Sequence, residues 1–300
     1  MNTNLEILKT HIQTLLGKEI TRFVLKGKGA VNYAYYVETG DGKKYVVKQE
    51  REIKEFEPQN SLGVEATVAQ HLCNLGLATP TPRVVFISEN PVVYGYEYVE
   101  GDMMRTVWGS FSEDEKTALC RTLGIFHAEI GKKFTKEMAR DIGIKIDMSM
   151  GLHPEVQEEY NRLVVDATVP EKFRILVQKA KAIFDETLSG GVFQFIHNDA
   201  HHENVIVKDT KISGIIDFGN AEYGEIAKEF SRYIRDYPDY FQYIVSEYEK
   251  ESGHKLSYQR LVSNALLSGF AEIVEDYQKG GDNRSAAEKL VAKYEVLLGI

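Results

Sequence analysis

Between residues 20 and 50 the chain runs through three short stretches, ITRFVLKG, VNYAYYVE and KKYVVKQE, in which apolar and polar positions alternate. Their β-branched and aromatic content and their period of two predict strands. TGDGKK joins the second and third, and its Asp41-Gly42 pair is a two-residue hairpin signal. KGKGAVN joins the first and second. Ahead of them, Leu5, Leu8, Ile12 and Leu15 recur at helical spacing and predict an amphipathic N-terminal helix. Behind them, Val64, Val68, Leu72 and Leu75 form the stripe of a second helix that ends near Gly76. ATPTP then leads into RVVFIS and VVYGYEYV, two further strands separated by the turn ENP. Five strands with one inserted helix predict an antiparallel sheet lobe over residues 1–100.

Past Gly101 the period changes. Helical patterns are expected at 113–130, about 155–165, about 170–188 and several times from 225 to the end, interrupted by the strand-like runs NVIV and SGIIDF. No repeat or low-complexity linker separates the two textures, so YVEG at 98–101 reads as a tight hinge. The expectation is an α+β, bilobal chain: a small five-stranded sheet lobe, then a larger helical lobe over residues 101–300.

Bulk properties narrow the function classes. Two cysteines, Cys73 and Cys120, make a disulfide framework implausible and fit a reducing compartment. The N-terminus lacks the apolar core and cleavage site of a secretory signal, and no run of about 18 apolar residues predicts a membrane span. A cytoplasmic protein is expected. The net charge of −9 is uneven: residues 1–100 hold 11 Lys and Arg against 12 Asp and Glu, residues 101–300 hold 25 against 33. That sign argues against nucleic acid or an anionic membrane as partner, and mildly favours a cationic substrate in the second part.

FIHNDAHHENVIV, residues 195–207, concentrates three histidines, His197, His201 and His202. Zinc ligands at i, i+4 need a helix to face one way, and Asn198, Asp199 and Asn204 disfavour one here. No cysteine lies nearby and no G-x-S-x-G elbow is present, which removes the usual nucleophile arrangements. Asp199 and Asn204 carry more information than the histidines. Phosphoryl transfer from a nucleotide asks for one carboxylate to orient and deprotonate the attacking hydroxyl, and for others to hold Mg²⁺ on the phosphates. His197-Asn198-Asp199, then Asn204, then IIDFG with Asp217-Phe218-Gly219 after one hairpin, has the spacing of that chemistry. Upstream, VVKQ puts Lys48 at a strand end to meet phosphates, and Glu65 lies beside the apolar stripe of the next helix, placed to pair with it. Either residue alone reads as an ordinary surface charge. Their order before the catalytic loop is what singles them out. The backbone N–H groups of the glycine loop, at Lys28 and Gly29, are expected to cover the phosphates.

In these ordered motifs, over about residues 20–240, the sequence resembles the aminoglycoside phosphotransferase and choline kinase superfamily, which has a protein-kinase-like fold and phosphorylates small-molecule hydroxyls. The family's His-Gly-Asp-Leu-His-x-x-Asn appears here with Asn198 and Ala200 in place of Gly and Leu. The resemblance implies Asp199 as catalytic base, Asn204 and Asp217 as Mg²⁺ ligands, and Lys48 as the clamp on ATP or GTP. It implies a hinge at Glu97, Tyr98 and Val99 that meets the purine, and His201 as a donor to the γ-phosphate. His197 is expected to brace the loop against the Asp-Phe-Gly backbone, with His202 and Glu203 at the rim. Asn204 to Asp217 to a predicted helix leaves no activation segment and no Ala-Pro-Glu, so no protein substrate is expected.

The acceptor is read from charge. Glu272, Glu275 and Asp276 share one predicted helix face, Asp236 and Asp239 lie among tyrosines, and Glu222 follows Asp-Phe-Gly closely. Acids with aromatic rings suit ammonium groups. An amine-bearing alcohol of aminoglycoside type is the expectation. A choline-type, amino-alcohol or sugar metabolite is the alternative, and a catalytically dead nucleotide-binding regulator on the same fold a third reading.

Overall fold

The computed structural model describes residues 2–29, 31–52, 59–188 and 191–300. The first lobe is helix α1 (Asn2–Leu16), strands β1 (Ile20–Lys28), β2 (Asn32–Thr39) and β3 (Lys44–Glu50), helix α2 (Leu62–Asn74), and strands β4 (Val84–Glu89) and β5 (Val92–Glu97). The strands form one antiparallel sheet in the order β1-β2-β3-β5-β4. The pleat sends alternate side chains to opposite faces. Tyr45 and Val47 of β3 join Leu8 and Ile12 of α1 in one apolar cluster, while Val46 and the β5 residues Tyr94 and Tyr96 pack on the α2 side. Lys48 continues the second set, which is why it faces α2. The α1 stripe is narrower than the periodicity implied, because Leu5 is exposed.

The chain crosses out of the sheet through Gly101, whose φ of +134° and whose position suit only glycine: a Cβ there would sit 2.4 Å from the Val207 carbonyl oxygen. Strand β6 (Asp102–Met103) and the single turn α3 (Met104–Val107) follow. The helical lobe then comprises α4 (Glu113–Lys133), α5 (Lys136–Ile142), α6 (Pro154–Leu163) and α7 (Glu171–Glu186). Next come β7 (Phe193–Ile196), β8 (Val205–Lys208), β9 (Lys211–Ile215) and β10 (Glu222–Glu225). Helices α8 (Ile226–Asp236), α9 (Phe241–Ser252), α10 (Tyr258–Lys279) and α11 (Gly281–Leu298) close the chain. Ser112 and Glu115 form a reciprocal capping box that starts α4. Gly124 lets α4 lie against α9, since a Cβ would meet the Ile244 carbonyl oxygen at 2.4 Å. Helix α10 is the centre of the lobe, packing on α7, α8 and α11 with a mainly apolar inner face that also buries Arg260, Ser263 and Asn264.

The α+β bilobal architecture agrees with the expectation. The pattern did not announce α5, β7 or β10. Each has four to seven residues, too few to establish a period. Strands β7 and β10 pair antiparallel, and β6, β8 and β9 form a second small sheet. These two ribbons hold the segments 197–204 and 216–221 against each other. No helix among the described residues is long and apolar enough to cross a membrane.

Candidate active site

Lys48 sits mid-sheet, opposite Ala34 on one side and Tyr94 on the other, with its ammonium under α2. It donates to Glu65 Oε1 at 2.6 Å and to Asp217 Oδ1 at 2.8 Å. The Tyr94 hydroxyl donates to the same Glu65 oxygen at 2.6 Å. Glu65 is 1% exposed, so its place beside the apolar stripe belongs to the buried face of α2. Burial works against the Lys48 ammonium, but the carboxylates of Asp217 and Glu65 more than offset it, and its pKa is raised. Burial also opposes the Asp217 anion, yet Lys48 beside it holds its pKa below the usual carboxylate value. For Glu65 burial wins and the pKa is raised. The cluster is therefore a firm Lys48–Asp217 ion pair, with Glu65 as the hydrogen-bonding post that fixes the ammonium.

Segment 197–204 enters from β7 and leaves into β8. Asn198 takes the left-handed conformation (φ +59°), and its N–H donates to Glu229 Oε2 of α8 at 2.7 Å. Glu229 is buried, and burial raises its pKa. His197 Nε2 donates to the Ile216 carbonyl at 2.8 Å, and its ring lies 4.5 Å from that of Phe218. It braces the loop against the strand that delivers Asp217. Asn204 Nδ2 donates to the Asp199 carbonyl at 2.8 Å and lies 3.5 Å from its Oδ2. Asn220 Nδ2 lies 3.4 Å from Oδ2, and Arg232 Nη2 donates to Oδ1 at 3.0 Å. The Glu203 N–H donates to His201 Nδ1, which leaves the ring proton on Nε2, 3.6 Å from Asp199 Oδ1. His202 bonds Asp236 and Glu203 pairs with Arg105, both at the edge of the loop. Asp217 itself has φ +68°, a conformation that costs energy in a non-glycine residue and is held by its surroundings. Asn60 supports the turn after it by donating to the Gly219 and Ala221 carbonyls.

Oxygen donors for Mg²⁺ are present in this arrangement. Asp217 is bound through Oδ1, and its side chain remains 45% exposed. Asn204 spends its amide nitrogen on Asp199, which leaves its amide oxygen for a cation. One carboxylate and one amide oxygen suit an ion that keeps phosphate and water ligands. No cluster of three His, Cys, Asp or Glu among the described residues forms an all-protein metal cage.

On the nucleotide side the expected hinge lines a cavity of about 300 Å³ together with Pro82, Lys208 and Ser213. Two of its three amide groups are already used. The Glu97 N–H donates to the Arg83 carbonyl and the Tyr98 N–H to the Lys44 carbonyl. That of Val99 has no partner among the described residues, so of the three N–H groups it is the one left for a purine edge. The Gly29 N–H, expected to cover the phosphates, closes its own turn onto the Asn32 carbonyl. Lys28 is exposed at the end of β1, and Ala30 of the same loop lies outside the described residues.

The family model for the phosphotransferase enzyme family matches residues 25–247. The chain belongs to the phosphotransferase enzyme family. Among solved structures, the GDP complex of aminoglycoside 2'-phosphotransferase-IIIa is similar at 18% identity and a TM-score of 0.67, covering 98% of this chain and 99% of that one. Macrolide 2'-phosphotransferase MphH from Brachybacterium faecium is similar at 17% identity and TM-score 0.67, with 96% and 97% covered. The streptomycin–ATP–APH(2")-IIa ternary complex is similar at 17% identity and TM-score 0.60, with 99% of both chains covered. At these identities the likeness is one of fold. No curated protein sequence matches.

Beside segment 197–204 of this phosphotransferase opens a cavity of about 360 Å³, with Asn198 and Arg232 in its wall. Of the six acids expected to face an acceptor, Glu222 and Glu272 line it. Asp236, Asp239, Glu275 and Asp276 do not. Glu275 and Asp276 sit on the solvent face of α10, paired with Lys279, Asp239 pairs with Lys293, and Asp236 is held by His202. Glu222 is 1% exposed on β10 and lies between Lys228 and Lys145, at 3.0 and 3.4 Å. Glu272 is paired with Arg235. The acidic face therefore does not form one acceptor surface: helical spacing placed three acids together, but only the first of them reaches the cavity. Lys228, Arg232 and Arg235, at i, i+4 and i+7 on α8, were missed. The spacing of that cationic stripe can be read in KEFSRYIRD.

Proposed function

We propose that this phosphotransferase moves the γ-phosphoryl group of ATP or GTP to a hydroxyl of a small molecule bound in the cavity beside Asn198 and Arg232. The observation that carries the reading is the Lys48–Asp217 contact at 2.8 Å, which ties the sheet lobe to the segment that also holds Asp199 and Asn204. Asp217 and Asn204 are the residues assigned to Mg²⁺, which when bound neutralises charge on the phosphates. Lys48, held by Glu65, is assigned to the α- and β-phosphates. Asp199 is assigned as base: the acceptor oxygen bonds to the γ-phosphorus, the bond to the leaving diphosphate oxygen breaks, and the hydroxyl proton passes to the carboxylate. Arg232 occupies Oδ1 of that carboxylate, so an entering hydroxyl shares or displaces it. His201, with its proton on Nε2, is assigned to the γ-phosphate.

Only two residues, Asn220 and Ala221, separate Asp217-Phe218-Gly219 from β10 at Glu222, which supports a small acceptor over a peptide. Retention of Lys48, Asp199, Asn204 and Asp217 speaks against a dead regulator. Cys73 and Cys120 are both free, in keeping with the cytoplasm as the proposed site of action. The test is a panel of aminoglycosides, macrolides, choline, amino sugars and sugar acids, with Mg·ATP and Mg·GTP in parallel. Phosphorylation of one compound class, lost in Asp217→Asn, is the expected result. Phosphorylation unchanged in Asp217→Asn contradicts the assignment.

A further inference from the structure

Four acids line the acceptor cavity, and none is both exposed and unpaired. Glu225 is gripped by the guanidinium of Arg260 through both oxygens, at 2.6 and 2.7 Å. Glu222 lies buried between two lysines, while Glu229 is 1% exposed and accepts the Asn198 N–H through Oε2, its Oε1 having no partner among the described residues. Glu272 alone reaches solvent, 64% exposed, and it is paired with Arg235. A polyammonium acceptor finds no exposed carboxylate here that lacks a cationic partner.

The cations are differently placed. Lys228 is locked by Asp147 and Glu222. Arg232 is 36% exposed and makes one hydrogen bond, through Nη2 to Asp199, so the rest of its fork has no partner among the described residues. Arg235 lies one turn further along the same face of α8. Gly269 of α10 provides its berth, since a Cβ there would stand 3.2 Å from Arg235 Nε. Its partner Glu272 is a screened surface carboxylate that an entering anion can replace. Lys145, 40% exposed, reaches its own acids only at 3.4 and 3.6 Å.

We propose that the acceptor carries an anionic group, a carboxylate, phosphate or sulfate, bound by Arg232 and Arg235 in this cavity. This rests on the kinase reading of the cavity as the acceptor site and replaces the amine-bearing class with a hydroxylated anion. Arginine forks fit such groups through paired hydrogen bonds. Three residues along a helix advance about 4.5 Å, so the anion sits a few bonds from the hydroxyl that meets Asp199. Sugar acids, hydroxy acids and sugar phosphates have that shape.

Inorganic sulfate is the probe, titrated into the full chain with saturating ADP and Mg²⁺ at an ionic strength held constant with NaCl, and followed by calorimetry and thermal unfolding. Sulfate is expected to bind and stabilise the wild type, Arg235→Gln to weaken its binding about tenfold, and Arg235→Lys to weaken it less. Spermine is expected to have no such effect. Absence of sulfate binding, equal sulfate affinity in Arg235→Gln, or stabilisation by spermine in its place overturns the proposal. Failure of the kinase reading registers separately, as absence of ADP binding, and the Arg235 comparison stays readable without nucleotide.

Discussion

Glu65→Ala tests whether the buried carboxylate holds Lys48 in place. Glu65 is 1% exposed and accepts two hydrogen bonds at 2.6 Å, from Lys48 and from Tyr94. Removing one partner of a buried ion pair costs about 3–5 kcal/mol, and an orphaned buried hydroxyl costs about 1–3 kcal/mol. The two overlap here, because Lys48 keeps Asp217 as a partner. About 4 kcal/mol is expected, a fall in Tm on the order of 10 °C for a chain of this size. Lys48→Met leaves Glu65 buried with Tyr94 alone and should cost about 3 kcal/mol. The double variant removes both charges, so it should cost less than the sum of the single changes by about 2 kcal/mol. Urea unfolding of the four proteins measures that difference, and nucleotide titration of Glu65→Ala should show affinity lowered about tenfold as the ammonium loses its post. Additivity within about 0.5 kcal/mol refutes the argument that these two residues act as one unit.

Two further expectations follow from side chains outside that cluster. His127 is fully buried, its Nε2 bonded to the Tyr233 hydroxyl, and burial first and then His197 push its pKa down from 6.5 to about 3. The unfolded chain then binds the proton that the folded chain refuses between pH 6.5 and 3, so stability is full above pH 6.5 and falls as the pH drops, by up to about 1.4 kcal/mol per unit. In His127→Gln the urea midpoint should depend less on pH across 4–6; an unchanged slope removes this residue from the account. Glu275→Gln with Asp276→Asn removes two exposed partners of Lys279 that lie off the cavity. The acceptor KM should stay within about twofold, as befits surface pairs worth about 0.2–1 kcal/mol each, and a tenfold rise restores the acidic-face reading.

What could be read in the sequence was local. The pleat of YVVKQ already put Lys48 on the face opposite Tyr45 and Val47, and the spacing from His197 to Asn204 to Asp217 survives folding because one short hairpin joins its parts. Glu65 was legible as a helix position, although only the packed structure shows it on the buried side. The acids failed for a different reason. Helical spacing shows which residues share a face but not which cation answers each one, and the partners of Glu222, Glu272 and Asp239 come from 6, 37 and 54 residues away. Which hinge N–H groups stay free was not legible either, since that of Tyr98 is committed to the Lys44 carbonyl beyond the ends of neighbouring strands. Arg232 is the largest omission. Its contact with Asp199 joins α8 to segment 197–204 over 33 residues, and no periodicity records such a meeting.

The central claim is that Asp199 is the base of a Mg²⁺- and nucleotide-dependent phosphoryl transfer. ADP formation from Mg·ATP, with the acceptor that supports turnover or with water in its place, tests it in wild type and Asp199→Asn, alongside nucleotide affinity by calorimetry. The rate should fall by about 10²–10⁴, the usual contribution of a positioned base, while the nucleotide dissociation constant stays within about twofold, because Lys48 and Asp217 are untouched. Turnover in Asp199→Asn equal to that of the wild type contradicts the account.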